Sequence, residues 1–357
     1  MELKSLSSNS VFTSGIIHVG RIYSSVSSNF RGVRFSRHSK CFSGLSLRNC
    51  LGDKAVISSV GPDKLAAETS FHHINGINGS ASGLYSQNLR VLDAFEDVYE
   101  GVVIDSDRLP NNPSTFAPIL RFSVSHWKKM GKKGIWLKLL LEQSHLVPIA
   151  VKEGFQYHHA EPGYVMLTYW IPQGPCLLPV NASHQVGVGG FVINDSNEVL
   201  VVQEKHYPPT LHGIWKIPTG FILQSEEIYT GAIREVKEET GIDTEFIEVI
   251  AFRHAHNVAF GKSDLFFICM LRSLSSEIIV DDLEIKAAKW MPLDEFVEQH
   301  FIQEDSMFKK IMDISIACLE KRYCGMCAHQ MVSKFDGKSS SLYYNVIDLK
   351  DINCNGS

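Results

Sequence analysis

The stretch from Gly220 to Ile242, GFILQSEEIYTGAIREVKEETGI, constrains this chain more than any other. Its spacing predicts a helix from about Ile228 to Thr240, stopped by Gly241. On that helix Glu235, Glu238 and Glu239 are three and four residues apart, so they share one face. Carboxylates crowded in this way repel one another. A hard divalent cation relieves the repulsion, because such ions seek oxygen ligands. Tyr229, Ala232, Ile233 and Val236 form an adjacent apolar stripe able to dock on a sheet. Gly220 offers a permissive backbone where the loop enters. The bland alternative is a highly charged surface helix.

Residue by residue the segment resembles the Nudix box, G-x5-E-x7-R-E-U-x-E-E-x-G-U with U aliphatic. Gly220, Glu226, Arg234, Glu235, Val236, Glu238, Glu239, Gly241 and Ile242 fill its fixed positions. The resemblance implies an α/β fold: a Nudix α/β/α sandwich with a mixed sheet, here preceded by a small α/β domain. It implies that Glu235, Glu238 and Glu239, with the Gly220 backbone carbonyl, hold Mg²⁺ or Mn²⁺. Glu235 or Glu238 would also help deprotonate the attacking water, and Arg234 would pair with Glu226 to orient the helix. Relatives often use a further carboxylate outside the box. Among Glu277, Asp281, Asp282 and Glu284 the choice falls on Glu284, which precedes the strand expected at Ala287–Trp290. A solvated acidic turn is the alternative.

The rest of the chain sorts around this segment. Between Lys4 and Gly52 there is no acidic residue, while Ser and Arg recur. Residues 1–55 therefore read as a transit peptide, plastid before mitochondrion, with an unaddressed polar tail in the cytosol as the alternative. Residues 56–88 read as a linker, on turn formers such as Asn75–Ser80. A small α/β unit is expected over 89–172. It has strands at Gly101–Ile104, Ile135–Leu141 and Tyr164–Ile171, and helices at Thr115–Met130 and Ser144–Gly154. A second unit is expected over 183–315. Its strands fall at Gln185–Asn194, Val199–Glu204, Glu245–His254, Asp264–Leu271 and Ala287–Trp290, and its later helices at Leu293–His300 and Asp305–Glu320. Residues 316–357 read as a C-terminal tail.

The unit over 89–172 resembles the small domain before the Nudix domain in a subgroup that includes plant hydrolases of ADP-ribose and NADH. So do His206–Pro209, Gly213–Gly220 and Phe252–His256. The expected reaction is metal-dependent hydrolysis of a diphosphate linkage, with ADP-ribose or NADH as substrate. Departures leave that substrate open. There is no Pro in the neighbourhood of Asn257–Ala259, Phe260 stands where dinucleoside-polyphosphate enzymes tend to place Tyr, and the Ser-Gln-Pro-Trp and coenzyme A motifs are absent. The alternatives are dinucleoside polyphosphates, coenzyme A, capped RNA, or a nucleotide-sensing module without turnover.

Trp215 is a candidate for stacking on a base, or for loop packing. His254 and His256 alternate on a predicted strand, so both face one side and line the cleft or sit half-buried. Cys324 and Cys327 have zinc-ligand spacing, with Cys318 and His329 near in sequence. No second such pair exists, so free thiols are favoured over zinc or a redox pair. Lys128, Lys129, Lys132 and Lys133 read as a solvated helix end. The net charge of -5 points away from nucleic acid, and no apolar run is long enough to span a membrane. The expected partner is a small nucleotide derivative, and a homodimer is compatible with the pattern.

Overall fold

The computed structural model describes residues 72–74, 90–206, 213–280, 282–334 and 337–345. The proposed transit segment lies outside them, as do Tyr207–Pro209 and Asp281. The chain divides into two compact units, with the division between Asn181 and Ala182.

The first unit is a six-stranded sheet. Its strands are β1 (His72–Ile74), β2 (Ala94–Glu96), β3 (Val102–Ile104), β4 (Gly134–Leu140), β5 (Gln156–Glu161) and β6 (Tyr164–Trp170), in the order β1-β2-β3-β4-β6-β5. Helix α1 (Pro113–Lys129) starts where Asn112 Oδ1 accepts the Ser114 N–H at 2.8 Å and Pro113 supplies a fixed φ. Its Phe116, Leu120 and Trp127 pack into one core with Ile135, Leu137, Leu139 and Leu167. Three expectations change. The stretch 56–88 is not wholly a linker, because β1 within it pairs with β2. The helix expected at Ser144–Gly154 is a 3₁₀ turn at Leu141–Leu146 followed by α2 (Val147–Lys152). Pro148 has no N–H to continue a helical ladder and is tolerated only in a first turn, so α2 begins beside it. Strand β5 escapes the pattern because it is an edge strand with polar residues on both faces.

The second unit is a six-stranded mixed sheet, in which β7 (His184–Ile193), β8 (Glu198–Glu204), β10 (Thr244–Ala259), β11 (Lys262–Ser273) and β12 (Ile285–Pro292) are ordered β10-β11-β7-β8-β12 and a short sixth strand, β9 (Thr219–Phe221), pairs with β7. β7 runs parallel to β11, and the other neighbours are antiparallel. Helix α3 (Ile228–Thr240) covers one face, where Ala232 and Val236 meet Val188, Val192, Leu200, Cys269 and Leu271. Helices α4 (Leu293–Val297), α5 (His300–Glu304) and α6 (Ser306–Leu319) cover the other, over Phe191, Val199, Val201, Ile268 and Met270. This is the expected α/β/α sandwich. The helix expected at Leu293–His300 is two short ones, α4 and α5.

β7 and β8 pair only next to their turn, at Ile193↔Val199, and then splay. The segment before α3 fills the gap. Lys216 exchanges both backbone hydrogen bonds with Val202, and β9 (Thr219–Phe221) pairs with Gly187–Gly189 of β7.

The described residues between 316 and 345 are folded, against the expectation of a tail from 316. α6 runs to Leu319, and β13 (Cys327–Val332) and β14 (Ser339–Tyr344) form a hairpin. Met326 exchanges two 2.9 Å backbone bonds with Val249, and Met326 and Tyr343 pack against the core under α3. No helix among the described residues is long and apolar enough to cross a membrane.

Candidate active site

α3 spans the residues its sequence predicts and stops at Gly241, which takes a left-handed φ of 73°. Gly220 is not a loop glycine. It lies inside β9, between the Gly190 N–H to Pro218 carbonyl bond and the Ile222 N–H to Val186 carbonyl bond, opposite Val188. Its role is close approach. A Cβ at Gly220 would sit 2.0 to 2.2 Å from the Glu235 carboxylate atoms. The helix thus lays a carboxylate directly on the strand backbone, which any side chain would forbid. Gly231 serves similarly, since a Cβ there would lie 2.3 Å from Ile222. Only packing reveals that role.

The carboxylates grade from inside to outside. Glu235 and Glu239 are one helical turn apart and buried, at 1% and 6% exposure, whereas the Glu238 side chain is 49% exposed. Arg234 knits the group together. Its Nε and Nη2 donate to the two Glu226 oxygens, both at 2.7 Å. Nη2 also donates to the Phe221 carbonyl at 2.9 Å. Nη1 donates to Glu235 at 2.8 Å and Glu238 at 3.1 Å. All five guanidinium donors are engaged. The Glu226 hydrogen bonds, against opposing burial, push the Arg234 pKa well above its ordinary value. Glu226 also accepts the Leu223 N–H at 2.9 Å, so the loop before α3 is tied to the same arginine.

One guanidinium therefore faces three carboxylates, and Glu239 is buried one helical turn from Glu235, so acidic side chains are gathered on this face with part of their charge buried. Burying such charge is costly unless it meets a compensating cation. The donors are all oxygen, the chemistry that hard divalent ions select. Among the described residues no three carboxylate, imidazole or thiol groups already converge at ligand distance, since Arg234 lies between Glu235 and Glu238.

The other candidates are dispersed. Trp215 packs against the core under α4–α6. Gln299 accepts its backbone N–H and donates to its carbonyl, both at 3.1 Å, and Lys289 Nζ stands 4.9 Å from its ring centre. Glu284 is half-buried just before β12, where its carbonyl accepts the Lys205 N–H at 2.9 Å. His254 and His256 share an exposed face of β10 with ring centres 4.3 Å apart. They are joined by His184, which sequence spacing could not find because β7 and β10 lie 70 residues apart. Local desolvation, then the charges of His256 and His184, hold the His254 pKa below its ordinary value. Beside Thr219 a cavity of about 70 Å³ opens between Ile217, Phe266, Phe296 and Phe308, with almost wholly apolar walls.

The cysteines of the described residues are free. The Cys318 thiol donates to Glu248 at 2.6 Å, and Gly325 N–H donates to the same carboxylate at 2.8 Å. Burial, then Glu248, pushes the Cys318 pKa up to about 12, so this thiol stays protonated.

Comparison with known proteins agrees with this geometry. Residues 92–171 match the family model for the "Nudix hydrolase domain", and residues 183–311 that for the "NUDIX domain". The chain is 58% identical to Nudix hydrolase 8 of Arabidopsis thaliana over 94% of its own length and 92% of the relative's. It is 48% identical to Nudix hydrolase 2 of the same plant, over 74% of this chain and 94% of that one. It is 39% identical to human "Nucleoside diphosphate-linked moiety X motif 6", over 54% of this chain and 60% of that one.

Proposed function

This chain belongs to the Nudix hydrolase family, and from that premise we propose that it hydrolyses the diphosphate linkage of a nucleoside-diphosphate derivative, with ADP-ribose or NADH as the substrate. The observation that carries the reading is the graded carboxylate face of α3: Glu235 and Glu239 buried, Glu238 open, and Arg234 tying Glu235 and Glu238 to Glu226 in the preceding loop. Glu235, Glu238 and Glu239, with the Gly220 carbonyl, would hold Mg²⁺ or Mn²⁺, and the chemistry such an ion would supply is Lewis acidity toward a phosphoryl oxygen and a lowered pKa for water. The chain's own groups do the rest. Glu238, the exposed carboxylate, accepts the proton of the attacking water. Arg234 stays charged and fixes Glu235 against β9, so that the site is set before substrate arrives. The choice of ADP-ribose or NADH is supported by the likeness of Gly213–Gly220 and Phe252–His256 to the plant subgroup, and the nucleoside-diphosphate class by the name of the human relative.

A panel of ADP-ribose, NADH, NAD, FAD, coenzyme A, a dinucleoside polyphosphate and capped RNA tests this, with products separated by chromatography. The expected result is Mg²⁺- or Mn²⁺-dependent release of two phosphomonoesters from ADP-ribose or NADH, lost in Glu238→Gln. Preferred cleavage of another member would replace the substrate assignment. We further propose that the acid-poor N-terminus directs the protein to plastids. A fusion of residues 1–60 to a fluorescent protein that stays in the cytosol would refute that.

A further inference from the structure

The exposed end of the second sheet carries a nitrogen pair that the hydrolytic chemistry does not use. β7 opens with His184, and β10 carries His254 and His256. β11 runs between them, with Ser263 opposite His184 and Leu265 opposite His254. All three imidazoles are exposed. Even so, His184 Nε2 and His254 Nε2 reach across β11 to within 2.9 Å of each other, with ring centres 5.0 Å apart. Ser183 Oγ lies 2.8 Å from His184 Nδ1, and Ser263 Oγ lies 3.1 Å from His256 Nδ1. A hydroxyl on one ring nitrogen fixes the ring and leaves the other nitrogen as the ligand atom, which is how outer groups orient metal-binding histidines.

In the neutral pair one N–H bridges the two nitrogens. A cation in place of that proton needs little movement. Zn–N bonds of about 2.0–2.1 Å in a tetrahedron set two ligand nitrogens about 3.3 Å apart, so the pair opens by only about 0.4 Å. Exposed side chains accommodate such a shift by small torsional changes. Imidazole nitrogen selects borderline cations such as Zn²⁺, whereas Mg²⁺ prefers carboxylate and carbonyl oxygen. The two sites are thus separated by donor chemistry.

We propose that His184 and His254 form a two-nitrogen site for a Zn²⁺-class transition-metal ion, with His256 packed on His254 and water completing the coordination. The site is independent of the substrate assigned to α3.

The test is calorimetric titration of Zn²⁺ into the full chain in saturating Mg²⁺, which occupies oxygen sites first. Four variants run beside it: His254→Gln, His184→Gln, Glu238→Gln and Cys324→Ser. One Zn²⁺ per chain is expected, weakened tenfold or more by either histidine change and unaltered by the other two. Imidazole NMR adds a readout independent of activity, in which Zn²⁺ shifts the His184 and His254 ring resonances together. Zn²⁺ binding that disappears in Cys324→Ser and persists in both histidine variants would overturn the proposal. So would an absence of saturable binding to the unaltered protein.

Discussion

The two units bury different things. In the first, the buried polar side chains among the described residues are Ser123 and Gln143, both spent on the backbone. Ser123 Oγ accepts the Leu92 N–H and donates to the Ile119 carbonyl, and Gln143 bonds the Leu140 N–H and the Ser106 carbonyl. In the second, Lys216, Glu235, Glu239 and Asp264 are all buried. Buried neutral groups that close backbone bonds belong to folding. Buried charges that cost free energy and are still held in place mark where chemistry is done. By that criterion the candidate site lies in the second unit, on the face of α3.

The comparison breaks first where the effects are largest. Glu238→Gln removes the charge of a half-exposed carboxylate that accepts from Arg234 at 3.1 Å, and it keeps the side chain's size and an oxygen acceptor. Turnover should fall on the order of 10²- to 10⁴-fold with an unchanged thermal midpoint, checked by initial rates beside circular dichroism. Trp127→Ala is the reverse case. The ring is 1% exposed in the core of the first unit, and its loss should cost about 3–5 kcal/mol of stability. Urea unfolding measures that loss, and turnover per folded molecule should hold. If Trp127→Ala abolishes turnover in folded protein, the first unit is more than scaffold. Gly220→Ala lies between the two. Its methyl must displace the Glu235 carboxylate, so stability drops by about 1–3 kcal/mol and turnover drops too. The smallest effect is Tyr323→Phe. It deletes the 2.8 Å hydroxyl bond to the Ile250 carbonyl for about 1 kcal/mol, with no change in rate, and so gauges how much the C-terminal residues merely support the sheet.

The parts legible in the sequence are those where local pattern and tertiary environment agree. The bounds of α3, its Gly241 stop and its apolar stripe were all readable, because Ala232 and Val236 repeat with the helical period on the face they bury. The alternating or apolar strands of the second unit were readable for the same reason. What stayed hidden depends on partners far away in the chain. β9 is three residues inside a Pro- and Gly-containing loop, and only the splay between β7 and β8 makes it a strand. β5 is polar on both faces. The hairpin of β13 and β14 reads as tail because its anchors, Met326 and Tyr343, are isolated apolar residues that gain meaning only beside Val249 and α3. In the site, the box carboxylates were legible by spacing. The division of labour between buried Glu235 and Glu239 and open Glu238 was not, nor was the meeting of His184 with His254.

The claim that the α3 carboxylates form the hard-cation site is tested most directly by Mn²⁺ binding, followed by electron paramagnetic resonance on the full chain. The account predicts saturable binding that Mg²⁺ displaces, weakened strongly in Glu238→Gln and in Glu239→Gln, and untouched by His254→Gln. Equal Mn²⁺ affinity in the unaltered chain and both glutamine variants would contradict it.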